Sequence, residues 1–153
     1  MRNKSKGDCM TKTTNYEVMK SIDAFYFKKN FRKLLKLIAA NSLIGIVEYY
    51  PTEGFIPEIK KTMAEKLVKT EYNKKWPGTV NSKKGKIDYY WLPKDKKDII
   101  KLLDDILNYY GENDGDATVD FFIEEDDEII LFITAHEEVI ELHRKFYNAF
   151  GSS

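Results

Sequence analysis

Thr118 to Phe150 reads TVDFFIEEDDEIILFITAHEEVIELHRKFYNAF, and this stretch decides the fold class. Aromatic and β-branched residues near Val119–Ile123 and again over Glu128–Thr134 predict two strands. The acidic run between them predicts a tight turn, and strands joined that closely must pair antiparallel. Thr134 followed three residues later by Glu137 has the form of a capping box. A helix is therefore predicted from there to about Asn148, with Val139, Ile140, Leu142, Phe146 and Tyr147 as candidate buried positions.

Working back toward the N-terminus, GENDGDA (residues 111–117) is an acidic loop. Gly111 suits the position that ends a helix in the left-handed conformation. The helix before it starts at Asp95, a natural N-cap, with Asp98 three residues on. Ile99, Ile100, Leu103, Ile106, Leu107 and Tyr110 give it a broad apolar stripe. IDYYWL (residues 87–92) predicts a strand closed by Pro93. KKWPGTVNSKKGK, residues 74–86, predicts a long irregular loop.

Pro57 fits a first helical position, so Glu58 to about Lys74 is predicted helical, with Ile59, Met63, Leu67 and Val68 facing inward. Leu43 to Tyr50 is β-branched and aromatic and predicts a strand stopped by Pro51. Ahead of it, Phe27, Phe31, Leu34, Leu35 and Ile38 recur at helical spacing, with Ser21 or Asp23 as the cap. Lys28, Lys29, Arg32, Lys33 and Lys36 fall on the opposite face. Residues 1–14 read as a flexible tail and 15–150 as a single domain; the closing Gly151-Ser152-Ser153 reads as a flexible end. The predicted fold is α+β: a small mixed or antiparallel sheet of about four strands packed against helices, in the order α-β-α-β-α-β-β-α. A doubly wound parallel sheet is the alternative.

The chain has 153 residues, 42% hydrophobic and 14% aromatic, enough to bury a core and too rich in core formers for disorder. Lys+Arg and Asp+Glu are both 25. Their distribution is uneven: Met1–Lys94 holds 20 basic and 9 acidic residues, and Asp95–Ser153 holds 5 and 16. Such asymmetry points to an electrostatic partner, unless the halves neutralise each other in the fold. One cysteine, Cys9, excludes an intrachain disulfide framework. No secretory signal or membrane-length apolar run is present, and a cytoplasmic location is expected.

Familiar chemistries fail on spacing. His136-Glu137-Glu138 suggests a zinc helix, but the second ligand position holds Ile140, and His143 lies about two turns away. Asn113-Asp114-Gly115-Asp116 suggests a calcium loop, yet the sixth position from Asp114 is Val119 where glycine is needed. Gly85-Lys86 precedes Ile87 and a strand, which fits no phosphate loop. No serine stands in a nucleophile elbow. The expectation is no catalytic residue, no metal and no cofactor.

Two surfaces remain. Lys29, Arg32 and Lys33, with Lys74, Lys75, Lys83 and Lys84 around Trp76, suit phosphate contact and base stacking. Asp114, Asp116, Glu124, Glu125, Asp126, Asp127, Glu128 and Glu138 form an acidic group able to hold a basic protein. The aromatic strand Tyr89-Tyr90-Trp91-Leu92-Pro93, the helix after it, the acidic hairpin Phe121–Ile133 and Thr134-Ala135-His136-Glu137 together resemble small stand-alone immunity proteins of bacterial toxin systems, including contact-dependent inhibition. The resemblance covers about a third of the chain. It implies a cytosolic non-enzyme that blocks a toxin domain, often a basic nuclease. The leading expectation is therefore a protein-binding domain of this kind, acting through the acidic group. A nucleic-acid-binding accessory protein is the alternative.

Overall fold

A computed structural model describes residues 14–49, 57–107 and 118–151. Its frame is one seven-stranded sheet in the order β1-β7-β6-β5-β2-β4-β3, and every neighbouring pair is antiparallel. The strands are β1 (Met19–Ser21), β2 (Leu43–Tyr49), β3 (Leu67–Trp76), β4 (Thr79–Trp91), β5 (Thr118–Glu125), β6 (Glu128–Thr134) and β7 (Val139–His143). The helices are α1 (Ala24–Leu37), α2 (Glu58–Thr62), α3 (Lys96–Leu107) and α4 (Arg144–Gly151). No helix among the described residues is long and apolar enough to cross a membrane.

The helices cover one face of the sheet. Phe27, Phe31 and Leu34 of α1, Ile59 of α2, Leu102 and Ile106 of α3 and Phe146 of α4 meet Ile44, Ile46, Phe121, Ile123, Leu131 and Ile133 in the larger core. Each such side chain contributes roughly 1.5–3 kcal/mol on burial. Asp23 caps α1 by accepting the Tyr26 N–H at 3.0 Å, and Asp95 accepts the Lys97 N–H at 2.8 Å ahead of α3.

The second face is covered by the sheet itself. β3 and β4 form a long hairpin whose register shifts between Asn73 and Lys75, so that Asn81–Lys84 of β4 stand opposite Lys74 alone. A bulge of this kind bends a ribbon. The arm beyond the bend folds back over β2, β5 and β6. Trp76 packs on Tyr49 with ring centroids 5.1 Å apart, and a Cβ built at Gly85 would lie 2.8 Å from the Trp76 ring. At the tip, Gly78 takes φ 88° after Pro77, the backbone demanded by a type II turn. A Cβ there would lie 2.8 Å from the Phe132 ring. The smaller core, which includes Met19, Val47, Tyr49, Trp76, Ile87, Tyr89, Phe122 and Phe132, lies beneath this arm.

The four-stranded sheet and the order α-β-α-β-α-β-β-α are overturned by this topology, and the all-antiparallel pairing removes the doubly wound alternative as well. Four segments account for the difference. Met19–Ser21, including the cap candidate Ser21, is strand β1 on the edge beside β7. The helix expected over Glu58–Lys74 ends at Thr62, passes through a 3-10 turn at Ala64–Lys66, and gives way to β3. Leu67 and Val68 are accordingly exposed on an edge strand. The loop expected over Lys74–Lys86 is the bent part of the hairpin. The helix expected after Thr134 is a 3-10 turn, then β7, then the shorter α4. Thr134 makes no capping bond, and Glu138 takes φ 57° to turn the chain. Ile140 and Leu142 are spaced by two and face the same core, which is a strand period. On α3, Ile106 is buried and Leu107 packs against the core as expected, while Leu102 and Asp105 are also carried inward and Ile100 is exposed. Gly111 lies outside the described residues.

Candidate functional site

β2, β4 and β5 align three residues in a row across one end of the sheet: Trp91 pairs with Leu43, and Leu43 pairs with Glu124. Adjacent strands lie about 4.8 Å apart, which puts the Trp91 and Glu124 backbones roughly 10 Å apart. Trp91 is 47% exposed. It lines an open groove of about 460 Å³ with Ala40, Asn41, Glu65, Lys66, Leu92 and Lys94. The turn from Glu125 to Glu128 lies beyond Glu124 at the same end.

That turn is built tightly. Glu125 pairs with Glu128, leaving a two-residue loop. Asp126 and Asp127 take φ 49° and 66°, the geometry of a type I′ turn, which short polar residues tolerate. Both side chains are exposed. Their neighbours are occupied internally. Glu125 is buried; it accepts the Ala39 N–H at 2.7 Å and pairs with Lys145 at 3.5 Å. It thus fixes the chain leaving α1 to the hairpin, which forms one side of the groove. Glu128 lies 3.0 Å from His143 Nε2 and 3.3 Å from Lys145 Nζ. Burial pushes Glu128 up, but hydrogen bonds from His143 and Lys145 outweigh it and hold the carboxyl below its ordinary value. Burial lowers Lys145, and its bonds to Glu128 and Glu125 more than reverse that.

The acidic group read from the sequence therefore divides. Glu124, Asp126 and Asp127 face the groove end of the sheet. Glu138 immediately precedes β7, whose Val139 pairs with Thr134, at the opposite end, because β6 carries the chain from one end to the other. Asp114 and Asp116 lie outside the described residues. Asp120, within the same acidic stretch, is buried at 1% exposure. It accepts from Trp76 Nε1 at 2.9 Å, Tyr49 Oη at 3.2 Å and the Ala135 N–H at 3.0 Å.

The basic group divides as well. Trp76 is 1% exposed and its indole N–H is committed to Asp120, so it is a core anchor and offers no ring for base stacking. The tryptophan that reaches solvent is Trp91. Lys29, Arg32 and Lys33 are exposed on α1, over the helical face. Lys74, Lys75, Lys83 and Lys84 are exposed on the bent arm over the other face. The sheet separates the two sets.

A second polar cluster lies under α2. Lys60 is buried and pairs with Glu48 of β2 and with Asp88 of β4, the latter at 2.5 Å. Thr70 donates to the other Asp88 oxygen at 2.5 Å. Tyr90 on the same strand is pushed far above the usual phenol range, by burial first and then by the Asp88 and Glu48 charges. Lys60 is not among the positions expected to face inward from the segment after Pro57, since nothing local in the sequence marks it as buried. Among the described residues, no three His, Cys, Asp or Glu side chains converge as a metal site.

No protein-family model, curated protein or solved structure matches this chain.

Proposed function

We propose that this chain is a protein-binding domain that takes a basic partner at the end of the sheet formed by Trp91, Leu43 and Glu124. The observation that carries the reading is the cross-strand row itself. It sets a half-exposed tryptophan beside an acidic turn on a rigid sheet. Tryptophans held in such settings contribute disproportionately to protein interfaces. Carboxylates at the rim speed encounter with a basic surface and reject acidic ones. The sequence resemblance to immunity proteins gives the proposal its particular form: a non-enzymatic inhibitor of a bacterial toxin domain.

The test is affinity capture from cells of the native source, with mass-spectrometric identification of the bound protein. Wild type is compared with Trp91→Ala and with Asp126→Lys/Asp127→Lys, each checked for folding by circular dichroism. The expected result is one basic protein retained by wild type and lost by both variants. Equal retention by all three proteins overturns the assignment of this surface.

A further inference from the structure

The bent arm of the β3–β4 hairpin is a second charged feature, at the other end of the sheet, which protein binding at Trp91 leaves unused. Between Glu71 and Asp88 the chain carries Lys74, Lys75, Lys83, Lys84 and Lys86 and no acidic residue. The acids that bound this run are engaged inward: Glu71 accepts from Tyr89 Oη at 3.2 Å and pairs with Lys69, and Asp88 holds Lys60 and Thr70. Glu137 and Glu138 lie near the tip at Gly78, which reaches Thr134. Lys74, Lys83 and Lys84 lie nearer the root of the arm, where Gly85 packs over Val47 of β2, and Lys75 lies beyond the bend, paired with Val80. β2 and β6 are separated by β5, about 10 Å, near the screening length in physiological salt.

The arm is rigid for reasons visible in its core contacts. Trp76 is buried and bonded to Asp120, and the Gly78 N–H donates to Tyr16 Oη at 2.9 Å. In the bulge, Asn81 Nδ2 donates to the Lys83 carbonyl at 3.0 Å, and Asn73 Oδ1 accepts the Lys75 N–H at 3.1 Å. Lys74 and Lys75 on one strand lie across the ladder from Lys83 and Lys84 in the bulge, and all four are exposed. Exposed Ser82 stands beside them, a neutral group of the kind that adds phosphate hydrogen bonds to lysine contacts.

We infer that this arm binds the phosphate backbone of nucleic acid without regard to sequence. The inference is independent of the protein-binding proposal. Four lysine–phosphate contacts release counterions with a slope of log K against log salt of about −3.6. Raising salt fourfold then weakens binding on the order of a hundredfold.

The probe is a fluorescein-labelled 20-base-pair DNA duplex, followed by anisotropy from 50 to 200 mM KCl with the full chain. Wild type is expected to bind at 50 mM and lose about a hundredfold by 200 mM. Lys74→Gln/Lys75→Gln/Lys83→Gln/Lys84→Gln should lose at least tenfold at 50 mM, with an unchanged circular dichroism spectrum. Lys29→Gln/Arg32→Gln/Lys33→Gln on α1 should bind as wild type. No binding at 50 mM overturns the inference, and so does an arm variant that binds as tightly as wild type. Loss in the α1 variant with the arm variant intact also overturns it. Trp91→Ala should leave duplex binding unchanged, which separates this result from the fate of the protein-binding proposal.

Discussion

Lys60 of α2 places its ammonium 2.5 Å from the Asp88 carboxylate of β4 and bonds the Glu48 carboxylate of β2 as well. Two buried carboxylates thus share one buried cation, and α2 is tied to the centre of the sheet by charge. Removing the lysine leaves two negative groups without their counterion. Lys60→Met is expected to destabilise the fold by about 3–5 kcal/mol, read as a lower midpoint in urea denaturation. Adding Glu48→Gln and Asp88→Asn to that variant should recover part of the loss. A single Lys60→Met change with no shift in midpoint would show that the cluster contributes nothing.

Asp120 accepts from Tyr49, Trp76, Thr79 and Ala135, and so fastens the folded-back arm to β2 and to the turn after β6. Asp120→Ala leaves the buried donors of Tyr49, Trp76 and Ala135 unmet, at about 1–3 kcal/mol for each. Asp120→Asn keeps one acceptor oxygen and should lose less. The measurement is urea denaturation together with Trp76 fluorescence in a Trp91→Phe background. Stability that falls equally in both variants would mean that the acceptor oxygen asparagine keeps contributes nothing.

The hairpin of β5 and β6 was legible because its signals are local. Aromatic and β-branched residues crowd both strands, and a polar pair fills the turn. α1 was legible for the same reason, through Phe27, Phe31, Leu34 and Ile38. β3 was not. Its ten residues include Lys69, Glu71, Asn73, Lys74 and Lys75, and an edge strand needs no apolar face to declare itself. Its identity comes from pairing with β4, a contact made after a turn that only Pro77-Gly78 announces. β7 was hidden because Val139, Ile140 and Leu142 fit a helical stripe as well as a strand. At the site, the acidic turn was visible, whereas Trp91 gains its importance from strand order. Trp91, Leu43 and Glu124 are far apart in sequence and become neighbours only when β2 enters between β4 and β5.

Asp126 and Asp127 occupy left-handed backbone that asparagine and glycine adopt more readily. Asp126→Asn with Asp127→Gly should therefore stabilise the domain by a few tenths to about 1 kcal/mol while removing the two charges at the tip. Thermal denaturation reads the gain. On the protein-binding proposal, the same variant associates with its partner more slowly, and the difference shrinks as salt is raised. An unchanged association rate at low salt would remove these two residues from the interface.

Asp105 gives the domain a pH signature. Burial pushes its carboxyl above the ordinary value; Lys101, 3.7 Å away, pulls it back, and Glu58 and Asp104 add to the rise. One carboxylate oxygen, Oδ2, accepts no hydrogen bond. Because the folded-state value is raised, the group favours the fold when protonated, and that contribution is lost as pH rises through the folded-state value. Once ionised, Asp105 therefore weakens the fold. Asp105→Asn should be more stable than wild type at pH 7, and the gap should close as pH falls toward 3.8, the unperturbed value. Urea denaturation of both proteins across this range is the measurement. A gap of constant size would show that the introduced amide acts through packing alone, and a less stable variant at pH 7 would show that the pair with Lys101 outweighs burial.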